Sequence, residues 1–377
     1  MAIAVDKHGN GSAGAPATLA EAPPRVAPVE FDHEQVVVRR GPRSGLPCIV
    51  AIHSTVLGPA LGGLRIWHYA DVADGQRDAM RLAAAMTLKA AAAGLDLGGG
   101  KGVLCAPAEG LEGARRLAAL RDFGDLVESL EGRYITAEDV GTSPRDLVAL
   151  SERTEHVTGL PAEHGGSGDP SPVTAIGVQA AMRACARERF GSESLAGRRV
   201  AVIGLGHVGA ALARNLAAAG CELLVADIDE RKRALASELG ATWIDPDAAL
   251  LAECDVLAPC ALGGAITREN ASKLRAEIVC GSANNQLTHD GLADELVAQD
   301  VLYAPDFIAN AGGLINVYRE IKGYSPEHAL ELAEGIEQTL GNVLSVAARR
   351  GVSPLAAARK LARHRLERAA DVQGAVA

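Results

Sequence analysis

Residues 199–209 read Arg199-Val200-Ala201-Val202-Ile203-Gly204-Leu205-Gly206-His207-Val208-Gly209, an apolar run that ends in glycines spaced as GxGxxG. Alone, that spacing is weak; behind a strand and ahead of a helix it is a phosphate-binding turn. Gly204 permits the tight turn, Gly206 lets the backbone approach a pyrophosphate, and Gly209 lets the helix pack closely on the strand. The helix that opens across Leu205, His207 and Val208 supplies N–H groups and a positive partial charge to phosphates. A second strand follows, Glu222-Leu223-Leu224-Val225-Ala226, and closes on Asp227. A carboxylate there accepts from both ribose hydroxyls and repels a 2′-phosphate, which favours NAD over NADP. Arg231, Lys232 and Arg233 lie close by and soften that preference. A ligand-free turn and a capping aspartate are the plainer readings of the same residues.

Beyond Asp227 strand and helix alternate: a helix near 230–239, then strands at 256–259, 278–280 and 301–303. Alternation of this kind means a doubly wound parallel sheet, a Rossmann dinucleotide-binding domain, expected over 159–344. Upstream, strands at 35–38, 48–52, 102–105 and 133–136 surround a helical pattern at 74–93, so 28–158 reads as a separate mixed α/β domain. The fold class is thus α/β with two domains and a cleft between them. A polar, Gly- and Pro-rich segment at 159–172 reads as the hinge, and a helix is expected to start at Thr174 with Ser171 or Pro172 near its cap. The chain is helical from Pro326, and the helices of about 345–377 are expected to pack back on the first domain. Residues 1–27, rich in Gly, Ala and Pro, read as a disordered tail.

The 377 residues are 48% hydrophobic and 22% charged, with a formal net charge of -10. An acidic surface argues against nucleic acid as a partner, since phosphate binding needs clustered Lys and Arg. No run is long and apolar enough to span a membrane, and no secretory leader is evident. The seven cysteines form no CxxC or zinc spacing, so no metal is expected and free thiols in the cytoplasm are the reading.

A second glycine cluster, Gly98-Gly99-Gly100-Lys101-Gly102, lies outside the nucleotide domain and lacks the P-loop spacing. Twelve positions earlier stands Lys89, among Ala and other apolar residues. Two lysines sharing a cleft depress the pKa of at least one, by burial and by mutual repulsion. A neutral lysine is a usable general base. Snorkelling to solvent is the competing reading. Asp139 follows a strand end, a favoured location for site residues in α/β proteins, and reads equally as a turn carboxylate.

Four segments, GPALGGLR (58–65), MTLKAAAAGLDLGGGK (86–101), ITAEDVG (135–141) and PDFIANAGG (305–313), together with the glycine turn, resemble the glutamate/leucine/phenylalanine/valine dehydrogenases, and among them most the leucine and valine enzymes. The resemblance runs in order through nearly the whole chain after about residue 28. It implies that Lys89 binds the substrate α-carboxylate, assisted by backbone at Gly62 and Gly63. Lys101 activates water, Asp139 shuttles protons to and from the amine, and Asn310 positions the substrate. Thr174 and Asn284 lie near the nicotinamide. Hydride leaves Cα, water adds to the imine, and ammonia and the 2-oxo acid are released. The resemblance also implies that 28–158 is the substrate and oligomerisation domain, through which a homo-oligomer forms.

Glutamate enzymes of that family carry a lysine where Leu61 stands. Leu61 cannot pair with a γ-carboxylate, whose burial without a counter-ion costs several kcal/mol. An apolar branched-chain substrate avoids that cost, and Ala137 is expected to line the same pocket. Two positions depart from the family pattern: Ala106-Pro107 stands for Asp-Pro, and Leu88 stands where Tyr is frequent. Both bear on substrate range. An aromatic amino acid is the near alternative, and a non-catalytic NAD-binding regulator is the alternative of another class. A 2-hydroxy-acid dehydrogenase fits less well, since such enzymes use a His base.

Overall fold

The computed structural model describes residues 32–376; the tail expected over 1–27 lies outside them. The first sheet is built from β1 (Gln35–Arg40), β2 (Pro47–Ser54), β3 (Ala60–His68), β4 (Gly98–Ala106) and β5 (Tyr134–Glu138), with α1 (Val72–Ala92), α2 (Gly113–Glu128) and α3 (Pro144–Ser151) between and after them. The spatial order is β1-β2-β4-β3-β5. β4, β3 and β5 run parallel, and the β1–β2 hairpin adds antiparallel to β4.

Period-two alternation sorts the side chains of this sheet onto two faces. One face of β2, β3 and β4 packs Val50, Leu64 and Leu104 against Phe123 and Leu126 of α2. The other packs Ile49, Ala51 and Val103 against Ala79 and Ala83 of α1. α1 is capped by Asp71, whose side chain accepts from the Ala73 N–H. Its buried stripe is Gly75, Ala79, Ala83, Thr87, Ala90 and Ala91. Small residues at helical spacing let the helix sit low on the sheet, and a Cβ on Gly99 would lie 2.1 Å from the Thr87 nitrogen.

The second sheet follows α4 (Ser171–Phe190) and comprises β6 (Arg199–Ile203), β7 (Glu222–Ala226), β8 (Thr242–Trp243), β9 (Cys254–Pro259), β10 (Ala276–Val279) and β11 (Leu302–Tyr303). Interleaved are α5 (His207–Ala218), α6 (Arg233–Glu238), α7 (Arg268–Ala271) and α8 (Leu292–Ala298). All its pairings are parallel. The order β8-β7-β6-β9-β10-β11 is the doubly wound 3-2-1-4-5-6 arrangement, with the switch point beside β6. The chain finishes in helices: α9 (Asp306–Ala309), α10 (Gly312–Ile321), α11 (Pro326–Glu334), α12 (Ile336–Arg350) and α13 (Pro354–Val376).

Two expectations need correction. α4 begins at Ser171, not Thr174, because proline is tolerated in a first turn, where its missing N–H has no partner to lose. The strand expected at 102–105 begins earlier, at Gly98, so the glycine cluster and Lys101 form the first half of β4. And β3, α2 and α3 went unread in the sequence, although β3 is central to the sheet.

Candidate active site

Lys101 sits in the middle of β4 on the face that looks toward α1, and is 5% exposed. Gly100 and Gly102, on the opposite face, leave room for Tyr134 and Phe123; a Cβ on either would come within 2.6 Å of a ring atom. The glycines flanking the lysine thus let the neighbouring elements close on it. Burial pushes the Lys101 ammonium below its ordinary pKa, and Arg65 adds to that, against the opposing pull of Asp139. The Lys101 Nζ lies 2.9 Å from Asp139 Oδ2. Asp139 follows the C-terminal end of β5, where its N–H donates to Thr142 Oγ1 at 2.8 Å and fixes the turn.

Lys89 stands in the last turn of α1, two residues beyond the Thr87 that rests on Gly99. Lys101 stands two residues beyond Gly99 itself. The helix–sheet contact therefore brings both lysines to one wall. Burial pushes Lys89 down to about 8, offset in part by Asp306. The Asp306 carboxyl, buried at the start of α9, is pushed up by burial and held down by N–H groups of Gln286 and Phe307 and by Lys89.

Lys89, Lys101 and Asp139 all line one cavity of about 1110 Å³. Leu61, Gly63, Ala137, Asn284, Gly313 and Val317 line it too, as does His207 at the head of α5. Leu88, at a position that departs from the family pattern, also faces it. Gly62 lies on the other face of β3; a Cβ there would meet the Gly100 carbonyl at 1.7 Å, and its own carbonyl accepts from the Tyr134 hydroxyl. Asn310 and Thr174 are buried behind the lining. Asn310 Nδ2 donates to Asn284 Oδ1 at 2.8 Å and to the Ser282 carbonyl at 3.1 Å, while its Oδ1 has no partner among the described residues. Thr174 Oγ1 donates to the Pro170 carbonyl at 2.9 Å.

The glycine turn bears three separate constraints. Gly204 has φ +100°, and a Cβ there would lie 2.8 Å from the Ala261 nitrogen. A Cβ on Gly209 would lie 1.9 Å from the Gly204 carbonyl oxygen, the helix-to-strand contact. A Cβ on Gly206 would meet nothing within 4 Å. Packing gives no reason for glycine at 206, and the open space above it fits a diphosphate approaching the backbone. Asp227 Oδ2 accepts from the Leu205 N–H at 2.6 Å and Oδ1 from the Asp229 N–H at 2.8 Å, so this carboxylate is tied to the turn it serves. Among the described residues no group of three His, Cys, Asp or Glu could hold a metal ion. Nor is any helix long and apolar enough to cross a membrane.

Sequence reasoning missed three groups of residues around the cavity. Arg65 binds both Asp139 and Asp78; its place two residues past Gly63 on β3 was the available signal. The loop at 159–168 contributes Gly159, Leu160 and Pro161 to the lining. That loop is held by Glu320, whose carboxylate accepts from the N–H groups of Gly159 and Ser167 at 3.0 and 2.9 Å. Leu355 and Arg359 of α13 also reach the cavity, and no motif marked them.

The chain is similar to known proteins over most of its length. The family model for the Glu/Leu/Phe/Val dehydrogenase dimerisation domain matches residues 29–156. The model for the glutamate/leucine/phenylalanine/valine dehydrogenases matches residues 223–374. A leucine dehydrogenase from Thermoactinomyces intermedius is 44% identical over 339 residues, covering 90% of this chain and 92% of the relative. A valine dehydrogenase from Streptomyces virginiae is 41% identical over 338 residues, 89% of this chain and 94% of the relative. The crystal structure of L-tryptophan dehydrogenase from Nostoc punctiforme superposes with a TM-score of 0.81 at 37% identity, covering 90% of this chain and 97% of that one.

Proposed function

The chain belongs to the glutamate/leucine/phenylalanine/valine dehydrogenase family, and from that premise we propose that it oxidatively deaminates a branched-chain L-amino acid, reversibly, with NAD. The observation that carries the reading is a single cavity lined by Lys89, Lys101 and Asp139, with Leu61 among them and His207 of the glycine turn at its rim.

In this reading the charged Lys89 binds the α-carboxylate, helped by backbone at Gly62 and Gly63. Asn310 holds the site through Asn284, and Thr174 backs it beside Gly313. When bound, the nicotinamide accepts the hydride from the substrate Cα. Asp139 carries protons to and from the amine: it takes one as the substrate ammonium arrives and gives one as the amine departs. Lys101, with its basicity tuned by burial, takes a proton from the water that attacks the imine carbon, and returns it as the carbinolamine collapses to ammonia and the 2-oxo acid. Leu61, Ala137 and Val317 receive the side chain, and the absence of a cation at 61 disfavours a γ-carboxylate. Gly204, Leu205, Gly206, His207, Val208 and Gly209 would hold the diphosphate of the cofactor, and Asp227 would accept from its ribose hydroxyls.

The division into a domain at 28–158, a nucleotide domain at 159–344 and returning C-terminal helices is part of the same reading. So is a homo-oligomer assembled through the first domain, where β1 is an edge strand among the described residues and Val38 and Trp67 are exposed. The free thiols fit a reducing cytoplasm. The likeness to a tryptophan dehydrogenase favours a second reading, an aromatic substrate in the same cavity. Reduction of NAD and of NADP is to be followed with valine, leucine, isoleucine, phenylalanine and tryptophan at alkaline pH. Fastest turnover of an aliphatic substrate with NAD is expected. Preference for phenylalanine or tryptophan would select the second reading, and no turnover of any would overturn both.

A further inference from the structure

A charged cluster that the proposed chemistry leaves unused lies directly behind Asp139. Arg65 Nε donates to Asp139 Oδ2 at 2.9 Å, the same oxygen that lies 2.9 Å from Lys101 Nζ. The other arm of the guanidinium, Nη1, reaches Asp78 Oδ2 at 2.9 Å. Asp78 is held in turn by the Tyr69 hydroxyl at 2.7 Å and by Arg81 Nη2 at 2.8 Å. The Arg65 and Asp78 side chains are only 22% and 18% exposed, so this is not a solvated surface pair of negligible strength. Among the described residues no donor bonds Asp139 Oδ1, and Asp139 lines the cavity.

Resting on the proposed reaction, we infer that Arg65 is a positioning residue: it fixes Asp139 by Oδ2, leaves Oδ1 for the substrate amine, and remains the counter-charge of Asp139 whenever Lys101 is neutral. The general base must lose its proton to work, and a lone Asp139 beside it would hold that proton in place. A neutral Lys101 would also leave a partly buried carboxylate without a partner. Arginine keeps its charge at any working pH, so Arg65 takes over Asp139 without competing for the proton. Asp78 moderates this by dividing the guanidinium between two carboxylates.

Among the described residues, the charged groups that act on Lys101 are Asp139 just after β5, Arg65 from β3 and Asp78 from α1, with Lys89 of α1 and Asp306 of α9 lining the same cavity. Arg65 favours the neutral lysine and Asp78 the charged one. Removing each must therefore displace the proton equilibrium in opposite directions, which a merely structural role would not produce.

Arg65→Gln, Arg65→Lys and Asp78→Asn are to be compared with the wild type, as full-length proteins, by the pH profile of kcat with saturating amino acid and NAD, with NADH binding and melting temperature alongside. The substrate amine is common to all, so a displaced limb belongs to the protein. Arg65→Gln is expected to move the acid limb up by about one pH unit, a tenfold loss of kcat well below it. Arg65→Lys should move it up by less, and Asp78→Asn should move it down, with NADH binding retained. An unmoved limb, or Arg65 and Asp78 variants moving in the same direction, overturns the inference. Should Arg65→Gln not fold, Arg65→Lys against Asp78→Asn decides by the same criterion. A wild type that turns over no amino acid overturns the reaction itself; turnover with an unmoved limb overturns only the role of Arg65.

Discussion

At the scale of single residues, the two lysines impose opposite demands on the same wall. Lys101 is useful without its proton and Lys89 with it. Lys101→Ala should abolish turnover while NADH binding, measured by fluorescence, persists; near-normal kcat would remove it from the mechanism. Lys89 carries a measurable penalty in stability. Its folded pKa is about 8 against an ordinary 10.5, so the unfolded chain binds the proton more tightly. The wild type is penalised while both states are charged, below about pH 8, and regains stability as pH rises toward 10.5. Lys89→Met should therefore melt higher than wild type at neutral pH, by about 2–4 °C for each kcal/mol relieved. The advantage should shrink in alkali, and KM for the amino acid should rise sharply. An unchanged KM would argue against carboxylate binding. Leu61→Lys puts a cation in the side-chain pocket, and a gain of glutamate turnover over wild type is the expected assay result; no gain would mean that residue 61 does not meet the substrate side chain.

At the scale of elements, glycines decide which surfaces touch, and they differ in kind. Gly99→Ala would drive a methyl into the Thr87 backbone, prising α1 off the sheet and separating Lys89 from Lys101. A loss of about 1–3 kcal/mol in denaturant unfolding is expected, as for other overpacked sites, together with lost activity. Gly206→Ala meets no protein atom, so its melting temperature should match wild type while NADH binding weakens at least tenfold. Destabilisation by Gly206→Ala would mean that packing, not a ligand, requires that glycine. The same contrast explains what the sequence made legible. β6, β7, β9 and β10 were readable because buried parallel strands are continuous apolar runs. β3 and the first half of β4 were not, because Leu61-Gly62-Gly63 and Gly98-Gly99-Gly100 lack the β-branched residues that signal a strand. Lys89, Lys101 and Asp139 could be picked out by residue type and by resemblance. Asp78 could not, since an exposed ion pair and a buried positioning pair are written with the same letters, and Arg65 had only its place at the end of GPALGGLR to mark it.

At the scale of the whole molecule, the cavity depends on chain regions hundreds of residues apart, and its wall is braced from the far end of the sequence. α1 ends at Ala92, and its last carbonyls accept from the turn that follows, Ala91 from the Gly94 N–H and Ala90 from the Leu95 N–H. Arg365 of α13 ties that turn down with further bonds: Nη1 donates to the Leu95, Ala91 and Ala90 carbonyls at 2.7, 3.2 and 3.4 Å, and Nη2 to Asp96 at 2.9 Å. A cation at a helix C-terminus also opposes the negative end of the helix dipole. Lys89 stands in that same last turn, whereas Lys101 and Asp139 are held by the sheet. Arg365→Ala should therefore cost about 1–2 kcal/mol in stability and act selectively on substrate binding. KM for the amino acid is expected to rise several-fold while kcat and NADH affinity stay close to wild type. Arg363→Ala, an exposed change on the same helix, should leave all three alone. If Arg365→Ala instead lowers kcat at constant KM, the support from α13 reaches the general base through the sheet and not through α1. If it changes neither KM nor melting temperature, the C-terminal helix bears on the site only through the residues that line the cavity.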